Sequence, residues 1–170
     1  EALAQGKLAV EQDPKNPLIL SLYSVVLKGA KQREAVLNHV EQALAIDPDH
    51  AFTKGQLGRA HYDLGDYEKD LEIQKASLLK RLDEGMIPNL VSIFREEGRQ
   101  AAYREVAGLW ELYYEGQAKH PILMARKYYR ANEFEKALDY LEKGYHQHNP
   151  NLPYIGTGTR FEALHDSARF

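Results

Sequence analysis

The stretch EQDPKNPLIL at residues 11–20 returns as AIDPDHAFTK at residues 45–54. In both, a helical pattern meets an Asp-Pro stop, then a polar turn, then a new apolar run. Proline lacks the backbone donor that a helix needs and restricts the residue before it, so each Asp-Pro marks a helix end. Pro14 and Pro48 lie 34 residues apart. A second signal keeps the same interval. The turn LGDYEKDLE at 64–72 is echoed by ANEFEKALD at 131–139, and Gly98 in REEGRQAAY falls between Gly65 and Asn132 at intervals of 33 and 34. A fixed period of this size marks one supersecondary unit stacked on copies of itself.

Each period reads as two helices. Leu20, Tyr23, Ser24 and Leu27 put large, large, small and large side chains on one helical face, at i, i+3, i+4, i+7 spacing. Val36, Val40 and Ala43 continue the stripe on a second helix, which Asp47-Pro48 ends. Antiparallel helices approach closely only where a side chain is small. Ser24, Gly58 and Ala125 are therefore expected contact points, flanked by Tyr23, Leu57 and Met124. The period divides the chain into a half unit at 1–16, whole units at 17–50, 51–83, 84–117 and 118–150, and a tail at 151–170.

These residues resemble the tetratricopeptide repeat family, whose pattern is Trp-x2-Leu-Gly-x2-Tyr, then Ala-x3-Phe and a closing Pro. Leu57-Gly58, Tyr62 and Gly65-Asp66-Tyr67 resemble it in unit 51–83. Met124-Ala125, Tyr128, Phe134, Ala137, Leu141 and Gly144 resemble it in unit 118–150. The resemblance implies an all-α fold, a right-handed α-solenoid of helix hairpins closed by a C-terminal capping helix. Two departures stand out. Asp70 occupies a place where a buried Ala is usual, and unit 84–117 keeps the size pattern (Leu90, Val91, Phe94) without the motif. The second helix of that unit is aromatic, with Tyr103, Trp110, Tyr113 and Tyr114.

The ends carry their own expectations. Residues 1–12 read as a second helix without its first, and a repeat cannot bury its apolar face alone, so a longer array is expected upstream. In the tail, Gly156-Thr157-Gly158 reads as a loop, and Thr159 as the cap of a short helix carrying Phe161 and Leu164, with Glu162 three residues on. The ending also resembles the C-terminal part of large bacterial regulators with tetratricopeptide arrays, through Phe161, Leu164, Asp166, Arg169 and Phe170. That likeness implies a sensory or scaffolding module of a larger regulatory protein; the sequence leaves the compartment open, with cytoplasm favoured over periplasm.

In this family the first helix of each unit lines a concave groove. The resemblance places Phe52, Arg59, Tyr62 and Asp63 there, with Ser92, Arg95 and Glu96, and with Ile122, Arg126, Tyr129 and Arg130. The binding residues expected are Arg59, Tyr62, Arg95, Arg126, Tyr129 and Arg130. Guanidinium forks suit carboxylates, so the partner expected is a protein or peptide that is acidic or ends in a free carboxylate. The plainer alternative is a solvated helical face laced with ion pairs. A different reading makes Trp110, Tyr113, Tyr114, Tyr128 and Tyr129 the lining of a small-molecule pocket between units 84–117 and 118–150. The same stripe at helical spacing also reads as core. Self-association through the groove or the N-terminal face is a third possibility.

Other chemistry finds little footing. The formal net charge is −3, which gives phosphate-driven nucleic-acid binding no electrostatic basis. No stretch approaches the roughly 18 uninterrupted apolar residues of a membrane span. With no cysteine there are no thiolate metal sites or disulfides. His146 and His148, two residues apart, suit a helix end better than a metal, and His61 reads as packing. Glu96-Glu97 and the pair Glu133 and Glu135 fall on turns, which rarely desolvate carboxylates enough for acid–base work. No phosphate loop or nucleophile motif is present, so neither an enzyme nor a cofactor is expected.

Overall fold

Among the described residues, which in this computed structural model are 1–115, 120–156 and 161–170, all regular structure is helical. The α-helices are α1 (Ala2–Gln12), α2 (Pro17–Gly29), α3 (Arg33–Ile46), α4 (Ala51–Leu64), α5 (Tyr67–Leu78), α6 (Leu90–Glu97), α7 (Arg99–Tyr113), α8 (Pro121–Arg130) and α9 (Phe134–His146). The chain divides into two compact units, residues 1–73 and 74–170, with the boundary inside α5.

The helix starts follow from local chemistry. Asn16 accepts hydrogen bonds from the backbone N–H of Leu18 at 3.1 Å and of Ile19 at 3.3 Å, with Pro17 at the first helical position. Asn89 caps α6 in the same way, accepting from Ser92 N–H at 3.2 Å.

The turns inside the hairpins share one device. Lys31, Gly65 and Asn132 all adopt left-handed backbone, at φ 61°, 84° and 58°. The residue after each donates its N–H back to a carbonyl five residues earlier: Gln32 to Leu27 at 3.1 Å, Asp66 to His61 at 2.9 Å, and Glu133 to Tyr128 at 2.9 Å. This is a Schellman closure, which satisfies carbonyls that the helix end leaves open. Gly98 solves the problem differently. At φ 90° and ψ 176° it joins α6 to α7 with no further residue between them, its N–H donating to Phe94 O at 3.0 Å.

In the first unit, α1 packs on α2, α2 on α3, and α4 against both α2 and α3. Leu27, Val36, Val40 and Ala60 form a buried cluster, with Tyr23 and Leu57 packed against it. Fully burying such aliphatic side chains stabilises the fold by about 1.5–3 kcal/mol each. Close approach depends on small residues. A Cβ at Gly6 of α1 would stand 2.4 Å from the ring of Tyr23.

In the second unit, α6 packs on α7, α7 on α8, and α8 on α9. Tyr103, Val106, Trp110, Met124, Tyr128 and Leu138 are buried there. Gly144 gives α9 its approach to α8, since a Cβ there would lie 2.8 Å from Ile122. The Trp110 ring has the Lys127 ammonium at 4.8 Å and the Arg81 guanidinium at 5.1 Å. Glu111 ties the three helices together, accepting from Tyr128 of α8 and, at 2.5 Å, from Tyr140 of α9.

The tail corrects one expectation. In place of a capping α-helix, the described residues of the tail form two 3₁₀ turns, Leu152–Tyr154 and Glu162–Leu164, the second entered through Phe161 in left-handed conformation at φ 56°. A left-handed entry and a three-residue length leave no room for a full α-turn. Phe161 and Leu164 are nonetheless buried, the side chains that the sequence assigned to covering an apolar face. The expected Thr159 cap lies outside the described residues, as do Thr157 and Gly158 of the expected loop.

Candidate functional site

Two helices of the first unit form an open face. On α2, Leu20, Ser21, Ser24 and Leu27 are buried, while Leu18 and Leu22 remain 47% and 50% exposed. On α4, Thr53, Gln56 and Ala60 are buried, while Phe52 is 40% exposed. Further along the same stripe come Gly55, exposed, and then Arg59 and Tyr62, both half-buried. Positions 52, 55, 59 and 62 follow the i, i+3, i+7 rhythm of one helical face.

Contacts at both ends fix how α2 and α4 run. Near their N-termini the Ser21 and Thr53 hydroxyls meet at 2.5 Å, and His50 Nδ1 is 2.5 Å from Thr53 Oγ1. The Ser21 hydroxyl gives its proton to Pro17 O at 2.7 Å. Thr53 therefore donates to Ser21, and His50 donates to Thr53 from a protonated Nδ1. Near the C-termini, Lys28 Nζ pairs with Asp63 Oδ2 at 2.7 Å. The first helices of two successive hairpins thus lie parallel and adjacent. Tyr62 presents its ring to Tyr67, centroids 5.4 Å apart, rather than standing clear of the surface.

The six expected binding residues fall in both units. Arg59 and Tyr62 belong to the first; Arg95 on α6, and Arg126, Tyr129 and Arg130 on α8, belong to the second. Arg95 is exposed, and Arg126 and Arg130 are half-buried. Tyr129 has a different occupation. Its ring lies 5.3 Å from Phe161 and 5.6 Å from Phe134, and its hydroxyl accepts the Ala163 N–H at 3.1 Å. It is the seat of the tail.

The tail is held from the other side by α9. Arg169 donates to Glu135 at 2.7 Å, to Asp139 at 2.7 Å and to both oxygens of Glu142 at 2.9 Å. These acids recur at i, i+4 and i+7 on α9, so Glu135, expected on a turn, lies in the first helical turn of α9 instead. The hydrogen bond from Arg169 holds the Glu142 carboxyl below the usual carboxylate range.

Among α7, α8 and α9, where the aromatic pocket was expected, lies a cavity of about 590 Å³ whose walls include Gly108, Glu111, Tyr114, His120, Tyr140 and Lys143. Of the five aromatic residues expected, Tyr114 lines it. Trp110 and Tyr128 are buried in packing, Tyr113 sets its ring edge-on to Trp110, and Tyr129 seats the tail. Partial desolvation opposes the Glu111 charge, but the Tyr128 and Tyr140 donors, helped by Lys136 and Lys143, outweigh it and hold this carboxyl below its ordinary range. One signal pointed here: Gly108 interrupts the otherwise helix-favouring run REVAGLWEL.

The histidines lie singly. His61 is buried with Nδ1 3.4 Å from Asp66 Oδ2, His146 ends α9, and His148 adopts left-handed backbone at φ 50°. Among the described residues, no group of three or more His, Asp or Glu is arranged to hold a metal ion. No helix among them is long and apolar enough to cross a membrane. Among the described residues all regular structure is helical, with α1 to α4 packed in succession in the first unit and α6 to α9 in the second. In comparisons with known proteins, no family model matches it and no curated protein matches it.

Proposed function

We propose that this chain is a protein-interaction module: tetratricopeptide-like hairpins stacked in a right-handed solenoid, serving as scaffold or sensor within a larger bacterial regulatory protein. Its partner is a peptide or protein segment that is acidic or ends in a free carboxylate. The role is binding, not catalysis. The observation that carries this reading is the parallel placement of α2 and α4, pinned by Ser21–Thr53 and Lys28–Asp63. Side-by-side first helices are what a groove between hairpins requires.

The face they make also suits such a ligand. Leu18, Leu22 and Phe52 supply exposed apolar anchors. Gly55 presents backbone, since a Cβ there would meet nothing within 4 Å, and Arg59 follows one turn later with a fork that matches a carboxylate. Extended peptides are held this way, by a few pockets and a small number of oriented polar groups.

Alanine at Arg59 tests the reading. Binding to a panel of acidic peptides with free C-termini, measured by fluorescence anisotropy, is expected to weaken about tenfold or more, the scale of a lost charge-assisted pair. Unchanged affinity with only an altered salt dependence would overturn it.

A further inference from the structure

We propose that the cavity among α7, α8 and α9 binds a small organic ammonium ion with a flat apolar body. The inference is independent of the α2–α4 face. At about 590 Å³ the space fits a metabolite-sized molecule. Its polar wall is organised around Glu111. Tyr128 donates to one carboxylate oxygen and Tyr140 to the other, which fixes the carboxylate plane and leaves a further lone pair on each oxygen. Both phenol protons are spent in these bonds, so the network offers the cavity acceptors and no donors. Glu115 adds a second carboxylate to the wall. An anion placed here would face two carboxylates against the ammonium of Lys143.

The aromatic surface points the same way. Tyr114 and His120, packed on each other at 5.0 Å between centroids, put aromatic surface on the wall. The rings of the Glu111 network already carry ammonium groups supplied by the chain itself: Lys136 Nζ stands 4.9 Å from the Tyr128 centroid and Lys143 Nζ 5.8 Å from Tyr140. These are cation–π distances. Lys143 lines the cavity on an exposed, flexible stem, so an incoming ammonium can take its place over Tyr140. Gly108 points the same way. It sits inside a fifteen-residue helix, where glycine weakens the helix, yet a Cβ added there meets nothing within 4 Å. Packing does not require this glycine. What its missing side chain leaves is open space on the cavity wall.

The test uses phenethylamine as probe and 3-phenylpropionate as its anionic counterpart, each titrated into the intact chain by calorimetry and by saturation-transfer NMR. Phenethylamine is expected to bind and phenylpropionate not. Glu111→Gln is expected to weaken phenethylamine about tenfold, the loss of one charge-assisted contact. Gly108→Leu, which strengthens the helix while filling the space, is expected to abolish binding with the fold intact, so a misfolded Glu111→Gln does not blunt the test. Equal binding of the two probes, binding of neither, or undiminished phenethylamine binding by Gly108→Leu would overturn the proposal.

Discussion

Lys31 and Gly65 hold the same left-handed backbone at the same place in two successive hairpins, φ 61° and 84°, 34 residues apart. Each lets the following N–H close the preceding helix, and only Gly65 does so without a Cβ penalty. Left-handed backbone costs an ordinary residue roughly 1–2 kcal/mol. Lys31→Gly is therefore expected to stabilise the chain by about 1 kcal/mol, and Gly65→Ala to destabilise it by a similar amount. Thermal unfolding followed by circular dichroism checks both. Opposite signs support the shared closure; equal signs would refute it.

Two other glycines are expected to respond in opposite directions. Gly6 faces the Tyr23 ring so closely that an added Cβ would stand 2.4 Å from it, whereas nothing lies within 4 Å of a Cβ at Gly55. Gly55→Ala is expected to gain about 0.5–1 kcal/mol from helix propensity alone. Gly6→Ala has the same propensity gain but must displace a ring, at an overpacking cost of about 1–3 kcal/mol, so a net loss is expected. Urea midpoints at unchanged slope distinguish them. Stabilisation by Gly6→Ala would show that α1 and α2 do not approach as described.

The sequence made the helices legible because their stops are steric. Pro14 and Pro48 cannot continue a helix, and Gly65 and Asn132 belong to the residue types that tolerate left-handed backbone. Lys31 belongs to neither type, which is why the turn it closes was not recognised as a member of the series. Tyr129 was assigned to the groove by its place on α8, but the tail, thirty residues on, takes its ring and hydroxyl. Spacing along one helix cannot reveal a partner so distant in sequence. Glu111 was invisible for the same reason: its meaning lies in Tyr128 and Tyr140 on two other helices.

That network predicts a pH dependence of definite sign. The folded Glu111 carboxyl is depressed below its ordinary value of 4.5, despite the desolvation that opposes its charge, because Tyr128 and Tyr140 donate to it. Its contribution is thus present above 4.5 and lost as pH falls through the lower, folded value. The phenols move the other way. Burial, and then the bond to Glu111, raise both well above 10.0, so their contribution holds below 10.0 and is lost as pH rises through the folded value. Glu111→Gln is expected to cost about 1 kcal/mol at neutral pH after discounting for solvent screening. In denaturant titrations at several pH values, the gap between parent and variant should close on the acid side of 4.5. A gap that persists unchanged there would contradict the assignment.

The tail rests on unequal supports. Phe161 is buried at 1% exposure, whereas the carboxylates that hold Arg169 are largely solvent-exposed. Apolar burial outweighs exposed ion pairs, which salt screens. Hydrogen exchange at the Ala163 amide, which donates to Tyr129, is expected to accelerate more in Phe161→Ala than in Arg169→Ala. Raising salt should move the parent chain toward the behaviour of Arg169→Ala. The reverse order of the two variants would place the anchor in the ion pairs.

Amide chemical-shift mapping decides whether the α2–α4 face receives a peptide that is acidic or ends in a free carboxylate. An acidic peptide with a free C-terminal carboxylate is titrated into isotope-labelled protein, with its C-terminally amidated form as control. Saturable shifts are expected at Leu18, Leu22, Phe52, Gly55 and Arg59, with affinity lower for the amidated peptide and reduced about tenfold by Arg59→Ala. Shifts scattered over both units, or insensitive to the carboxylate, would contradict binding there.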